Sequence, residues 1–487
     1  MSQHGVRVNE IPTGVKPPVE RLAGLPVYVG SAPIHMSAAK TAKLNQPVLV
    51  ANLAEAIAEF GYLDATGSAG AKKFDFSLCE AMSAHFKIGN VGPIVLINVL
   101  DPATHKAAVL AEAKTLGTDG TATLTHAHPW PASVVVKVAT VTKALGTDYT
   151  FAVNSAGQGV VARVSTGTIT AGAAITIDYD YLTPSAVDAA DIVGGVVAET
   201  QLKTGLELVA EVFPRFQKVP GQILAPGFSS DATVAAVMAA KSSAINGNFK
   251  AMALTDIPTG TVTVFTGCAA WKSTNSFTDK NMVTCWPMGR LGGVLYHLST
   301  LFAARCMATD AANDGVPCES PSNKTLPIDG IALADGTEVV LDDVAANSLN
   351  DQGIGTALNS SGWKAWGNRT AAYPASTDPA DTFIPLARMR VWNTSVLILS
   401  HKQRVDSPMN RRQIEGVVDS ENIRLNGLYA AGKILGGRVE FREELNPPTS
   451  LMDGQAVYSF LWSPPPPMQG ITFNVEVDTS YLATLFG

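Results

Sequence analysis

At 487 residues the chain exceeds what a single hydrophobic core organises, so two to four domains are expected. Composition is 46% hydrophobic and 16% charged, with 42 glycines and 29 prolines, a globular profile without a disorder signature. The net charge of −7 argues against a general nucleic-acid binder and leaves room for a local basic patch.

The opening MSQHGVRVNE has no basic stretch followed by an apolar one, so it does not read as a secretory signal. No apolar run approaches the roughly 20 residues that cross a bilayer. Five cysteines at wide spacings (Cys79, Cys268, Cys285, Cys306, Cys318) read as free thiols in a reducing compartment. Synthesis in a cytoplasm, without export by a standard route, is the expectation.

Residues 6–11 form a short predicted strand, alternating through Val6, Arg7, Val8 and Asn9 and closing on Glu10 and Ile11. Pro12, Gly14, Pro17 and Pro18 then forbid a nearby hairpin partner. Strand backbone groups need pairing, so this one either lacks a partner in its own neighbourhood or is a frayed terminus.

NQPVLVANLAEAIAEFG predicts a short extended piece and an amphipathic helix ending at Gly61. FDFSLCEAMSAHFKIG is a second helix, with Phe74, Leu78, Met82 and Phe86 at helical spacing and Gly89 as its C-cap. PIVLINVLD, continuous and β-branched, suits a buried parallel strand. From residue 117 to 190 Thr, Val, Ala and Gly take over in short alternating runs: SVVVKVATV, DYTFAVN, VVARVSTGTI and AITIDYDYL. Turn signals between them predict a small inserted all-β sandwich.

GQILAPGFSS, DATVAAVMAAKSSAI and FKAMALTDIP then make a β-α-β unit, with Asp231 starting the helix and a right-handed connection. Ser407 and Pro408 predict the N-cap and first turn of a helix through MNRRQIEGVVDSENIRLNGLYAAG. GGRVEFREE, QAVYSFLWS and GITFNVEVD follow as strands, the last two split by the proline tract 464–467. No tandem repeat is present.

Motifs for chemistry are weak. The G-x-x-x-x-G-K spacing from Gly427 to Lys433 mimics a phosphate loop, but Ile434 stands where Mg²⁺ binding needs Ser or Thr. A capping glycine at a helix end explains it better. His126 and His128 share a strand face, yet no Cys or acidic residue lies at ligand spacing, so a surface turn is favoured over a metal site. Asp101 and Asp256 end apolar strands, where open sheets place catalytic groups, but lone carboxylates there read better as caps or loop residues. Neither an enzyme nor a cofactor is expected. Arg404, Arg411, Arg412 and Arg424 gather on and before the C-terminal helix, as a solvated face or a partner surface.

A family resemblance runs through the ends and the middle together. HGVRVNEIPTGVKP, LPVYVGSAP and NQPVLV, then the β-α-β segment, then CESPSNKTL, LNDQGIGTAL and WKAWGNRTA occur in order. With the closing GGRVEFREELNPPTSLMDGQAVYSFLWSPPPPMQGITFNVEVDTSYLATLF, the chain resembles contractile tail sheath proteins of bacteriophages and phage-tail-like bacteriocins. Residues 117–190 have no recognised counterpart and fit a variable outward insertion.

The resemblance implies a multidomain α/β (α+β) chain: arm 1–20, core 21–116, inserted β domain 117–192, middle domain 193–365, tube-facing domain 366–468 and arm 469–487. It implies six-fold rings of identical subunits around a tail tube, met at the ends by baseplate and tail terminator proteins, without nucleic-acid contact or membrane insertion. The setting is the virion tail, with assembly in the host cytoplasm. Contraction would be driven by energy stored at assembly.

Strand exchange would link subunits, donated by Val6, Arg7, Val8, Asn9, Glu10 and Ile11, and by Ile471, Thr472, Phe473, Asn474, Val475, Glu476 and Val477. The acceptor is 455–463, through Val457, Tyr458, Phe460 and Leu461. The same resemblance points Arg411, Arg412 and Arg424 at the tube. A bacteriocin or other injection-system sheath is the near alternative, and an α/β enzyme with an appended β-sandwich the remote one.

Overall fold

The continuous apolar runs become the middle of one sheet. The computed structural model describes residues 24–38 and 43–486, and the expected arm strand 6–11 lies outside them. Eight strands lie in the order Trp363–Trp366, Ile354–Asn359, Met282–Cys285, Met252–Asp256, Gln222–Leu224, Pro26–Gly30, Ile94–Asn98 and Pro47–Val50. The inner six are mutually parallel, and the two outermost are antiparallel to their neighbours. Ile94 to Ile97 and Val27 to Val29 are wholly buried, which is why their sequences show no alternation.

Helix Ala232–Ser243 joins Gln222–Leu224 to the parallel Met252–Asp256 as expected. Asp231 caps it, its Oδ1 accepting the N–H groups of Thr233 (2.8 Å) and Val234 (3.2 Å). Helix Leu53–Phe60 ends at Gly61 (φ 76°), where a Cβ would lie 2.5 Å from the Pro33 carbonyl oxygen. The next helix differs from expectation. It divides into an α segment, Ser77–Met82, and a π segment, Ser83–Gly89, and Asn90 (φ 46°) closes it in place of Gly89. The wider turns carry Ser83 to the Tyr296 hydroxyl (3.0 Å) and His85 to the Tyr28 hydroxyl (2.7 Å).

The all-β unit is two facing sheets. Lys106–Thr115 pairs with Ala174–Leu182, which continues to Val135–Val138 and Val141–Thr142. Opposite lie Thr121–Ala127, Gln158–Arg163 and Tyr149–Val153. They enclose their own core, including Leu124, Val136, Val161, Ile177 and Tyr179. The change of texture at residue 117 is not where the strands begin. Residues 117–192 omit Lys106–Thr115 at one end and, at the other, include Ile192, which is buried in the main core. The Thr183 N–H donates to the His105 carbonyl at 2.9 Å, so the entering and leaving chains run side by side.

A further unit packs helices Ile384–His401 and Arg411–Ala430 with a hairpin, Gly436–Glu440 against Ser459–Ser463. Met389, Trp392, Val396, Leu425, Ile434 and Val439 form its core. Its second helix starts later than the Ser407–Pro408 pair predicts. The Ser407 N–H closes a turn onto the Arg404 carbonyl (3.2 Å), and Asn410 is the cap, its Oδ1 accepting from Gln413 N–H at 3.0 Å. The predicted strand 470–478 has no ladder, and Thr479–Phe486 is a 3₁₀ segment. No helix among the described residues is long and apolar enough to cross a membrane.

Candidate assembly interface

Among the described residues the C-terminal hairpin has two strands, so each presents an outer edge. One edge is occupied. Asn422, from helix Arg411–Ala430, accepts the Val439 N–H at 2.8 Å and donates Nδ2 to the Val439 carbonyl at 3.2 Å. Val439 therefore exchanges no backbone bonds with Phe460 opposite it, and the alternation turns the backbone groups of Phe460 and Trp462 outward. Asn446 grips Val457 in the same two-handed way, at 2.7 and 2.8 Å, just before the strand begins. Phe460 and Leu461 of the expected acceptor lie in the strand, whereas Val457 and Tyr458 precede it. Among the described residues nothing pairs with this outer edge.

The tail supplies the complementary half of the pattern. Ile471, Phe473, Val475 and Val477 are 67, 82, 91 and 84% exposed, and they alternate with Thr472, Asn474 and Glu476. Period-two alternation is that of a strand with one face to bury. Each such side chain left in water forgoes about 1.5–3 kcal/mol of burial.

The tail leaves the body at a tie built from the family-like stretches. Arg369 lies over the rings of Phe383 (3.8 Å) and Tyr373 (4.5 Å). It donates Nη1 to Thr382 Oγ1 (3.0 Å) and Nη2 to Gln469 Oε1 (2.8 Å). Gly367, at φ 135°, leaves no room for a Cβ, which would fall 2.7 Å from Asn350 Oδ1. The Gly367 N–H donates to Ser322 Oγ (3.0 Å), and the Asn323 N–H to the Ala365 carbonyl (2.7 Å). Lys272 Nζ joins the Gln352 and Tyr373 carbonyls at 2.5 and 2.7 Å. Three motifs that are separate in sequence thus meet at one edge of the main sheet and hold the root of the tail.

The basic helix divides its arginines. Arg411 and Arg412 are exposed at its start, Arg411 pairing one turn along with Glu415 at 2.6 Å. Arg424, the third residue expected at the tube, is turned inward in the single subunit. Its Nε donates to Glu421 Oε2 (2.6 Å) and its Nη2 to Asn393 Oδ1 (2.8 Å). Burial pushes the Glu421 carboxyl up, but His401 and Arg424 outweigh it and hold it below its ordinary value.

The remaining motifs resolve into structure. Asp256 is buried and accepts from the Ser299 N–H at 2.9 Å at the start of helix Leu298–Ala312, while Asp101 Oδ1 accepts from the Ala103 N–H at 2.8 Å. His126 stacks on Tyr181 at 4.6 Å. His128 is not on a surface turn as expected. It wedges between the β unit and the core, 4.9 Å from the Phe76 ring and 3.4 Å from Asp75. No group of three metal-binding side chains occurs among the described residues. Lys433 donates to the Asn313 carbonyl (2.8 Å) and Asp314 (2.7 Å), beside the helix-ending Gly432. Asn422 and Asn446 hold the hairpin, Arg369 and Gln469 hold the root of the tail, and none was singled out from sequence. Arg369 lies in the WKAWGNRTA stretch and Asn446 and Gln469 in the closing family-like stretch, which pointed to the segments and not to these side chains.

No protein-family profile matches the chain. It is 30% identical to the tail sheath protein of Burkholderia phage BcepMu over a 501-residue alignment, covering 99% of this chain and 98% of that one. A putative prophage major tail sheath protein of Pseudomonas aeruginosa (strain UCBPP-PA14) is 27% identical over 62% of this chain and 75% of its own length. The fold is shared with the sheath complex of the extracellular contractile injection system PVC in its contracted state, at TM-score 0.59 and 12% identity, with 99% of each chain covered. A chain of the anti-feeding prophage baseplate gives TM-score 0.56 at 13% identity, covering 98% of this chain and 99% of that one.

Proposed function

This chain belongs to the tail sheath protein family, and we propose that its copies are joined into the sheath by strands exchanged between subunits. It is a structural subunit of a contractile phage tail, not an enzyme. In this reading copies stack as six-fold rings around a tail tube and rearrange together to drive the tube into the host envelope. The free energy is stored at assembly, so no nucleotide site is needed.

The observation that carries strand exchange is the match between an open edge at Ser459–Ser463 and an exposed, alternating tail at 471–477. Addition of that tail to the edge in another copy is β-augmentation, in which backbone bonds give hold and alternate side chains give fit. Residues 6–11 would be the second donor, and the proline tracts 12–18 and 464–467 semi-stiff links that let bodies rotate without parting. Arg411 and Arg412 would face the tube, whose contact must break during contraction. Exposed ion pairs of roughly 0.2–1 kcal/mol each suit a contact that is weak singly and multiplied over many subunits. The baseplate and tail terminator would cap the ends, the inserted β unit would face outward, and assembly would take place in the host cytoplasm before the tail joins the virion.

A chain ending at Gln469 tests this. The truncated protein should stay folded by circular dichroism, because the removed side chains are exposed, yet form no extended sheath in negative-stain images. Sheaths of ordinary length from it would contradict strand exchange.

A further inference from the structure

An apolar groove of about 800 Å³ opens between the start of helix Arg411–Ala430 and the short helix Pro448–Met452. Met409, Ile414, Val418, Phe441, Leu451 and Met452 line it, with Met409 40% and Met452 88% exposed. Elsewhere in the chain, Thr479–Phe486 holds Tyr481, Leu482, Leu485 and Phe486 at 73, 56, 74 and 91% exposure. Leu482 and Leu485 stand three residues apart, one turn of a 3₁₀ helix, and so project from the same side. Within one subunit the groove and this segment remain separate, each with its apolar surface in water.

We propose that Thr479–Phe486 of one copy seats in this groove of a second copy and locks the exchanged strand in place. The inference rests on the strand-exchange reading above. Its argument is direction. A donor strand that runs antiparallel to Ser459–Ser463 finishes beside Ser459. In the hairpin register Ser459 opposes Glu440, and the next residue, Phe441, is a wall of the groove. The Phe441 ring also lies 5.3 Å from that of Tyr458, at the same end of the edge. Residues 471–477 laid on the edge in this sense bring residue 479 to the Ser459 end of the hairpin, the end at which Phe441 stands. The opposite sense would carry it toward Gly436, at the far end. Strand and segment then act in series: the backbone pairing is tolerant of side chain, and the apolar segment fixes register, since a slip of one residue would flip the strand and withdraw the segment.

The test is photo-crosslinking in assembled sheaths of the full-length chain. A p-benzoylphenylalanine is placed at position 481 or at position 475, in subunits mixed with isotopically labelled copies. Mass spectrometry then identifies the partner chain and peptide. Position 475 should crosslink to residues 458–463 of another copy, and position 481 to residues 409–419 or 441–452 of another copy. Crosslinks from 475 to the edge, with those from 481 falling on other surfaces, on its own chain or on another protein, overturn the docking and leave strand exchange standing. Failure at both positions overturns both.

Discussion

His297 meets Glu80 through two contacts, its backbone N–H to Oε1 at 2.7 Å and its ring Nδ1 to Oε2 at 2.8 Å. Burial opposes the imidazolium charge, but Glu80, helped by Asp256 and opposed by Lys73, raises the pKa from 6.5 to about 9. A folded-state pKa above the unfolded one adds stability that is complete below pH 6.5 and lost as pH rises through about 9. The urea midpoint of the subunit should therefore fall across that window, and His297→Gln should flatten the fall. An unmodified subunit with no slope there contradicts the assignment. Single residues were legible in sequence when their partner was near: Asp231 reaches only to Thr233 and Val234, and Gly61 answers to local chain direction. Even so, Asn410 displaced Ser407 as a cap, because the preceding turn carries Ser407 away from the helix. The residues that hold the hairpin and the root of the tail act at longer range. Asn422 reaches Val439, 17 positions on, and Arg369 reaches Gln469, 100 positions on, which no local pattern encodes.

Elements followed hydrophobic periodicity where burial was strong. The parallel strands Ile94–Asn98 and Met252–Asp256 stand where unbroken apolar runs predict them, and the β-α-β unit follows. Lys106–Thr115 escaped because KAAVLAEAKT is rich in helix-favouring Ala, Lys and Glu, and its partner strand, Ala174–Leu182, imposes the pairing from far along the chain. The two choices of boundary have measurably different consequences. Excision of residues 106–182, closed by a short linker between the adjacent His105 and Thr183, should leave tails that assemble and contract. Excision of 117–192 should yield insoluble protein, because it strands Lys106–Thr115 without its partner and removes Ile192 from the main core. Electron microscopy and contraction assays on the two deletions decide between these boundaries. Failure of the 106–182 tails to contract would instead give the unit a mechanical part.

For the whole molecule, the tail explains why one chain looks incomplete. Ile471 to Val477 has strand periodicity, but it joins no sheet among the described residues, and on the proposed reading its partner edge belongs to another copy. Sequence alternation records the propensity and not the partner, so under strand exchange the predicted strand would form only when the extended segment meets another copy. The most direct measurement is a helical cryo-EM reconstruction of the extended sheath. It should show residues 471–477 of one subunit running antiparallel along Ser459–Ser463 of another, with the outward backbone groups of Phe460 and Trp462 bonded to the visiting strand. A tail folded back onto its own subunit, with that edge left open or filled by another protein, would contradict the account.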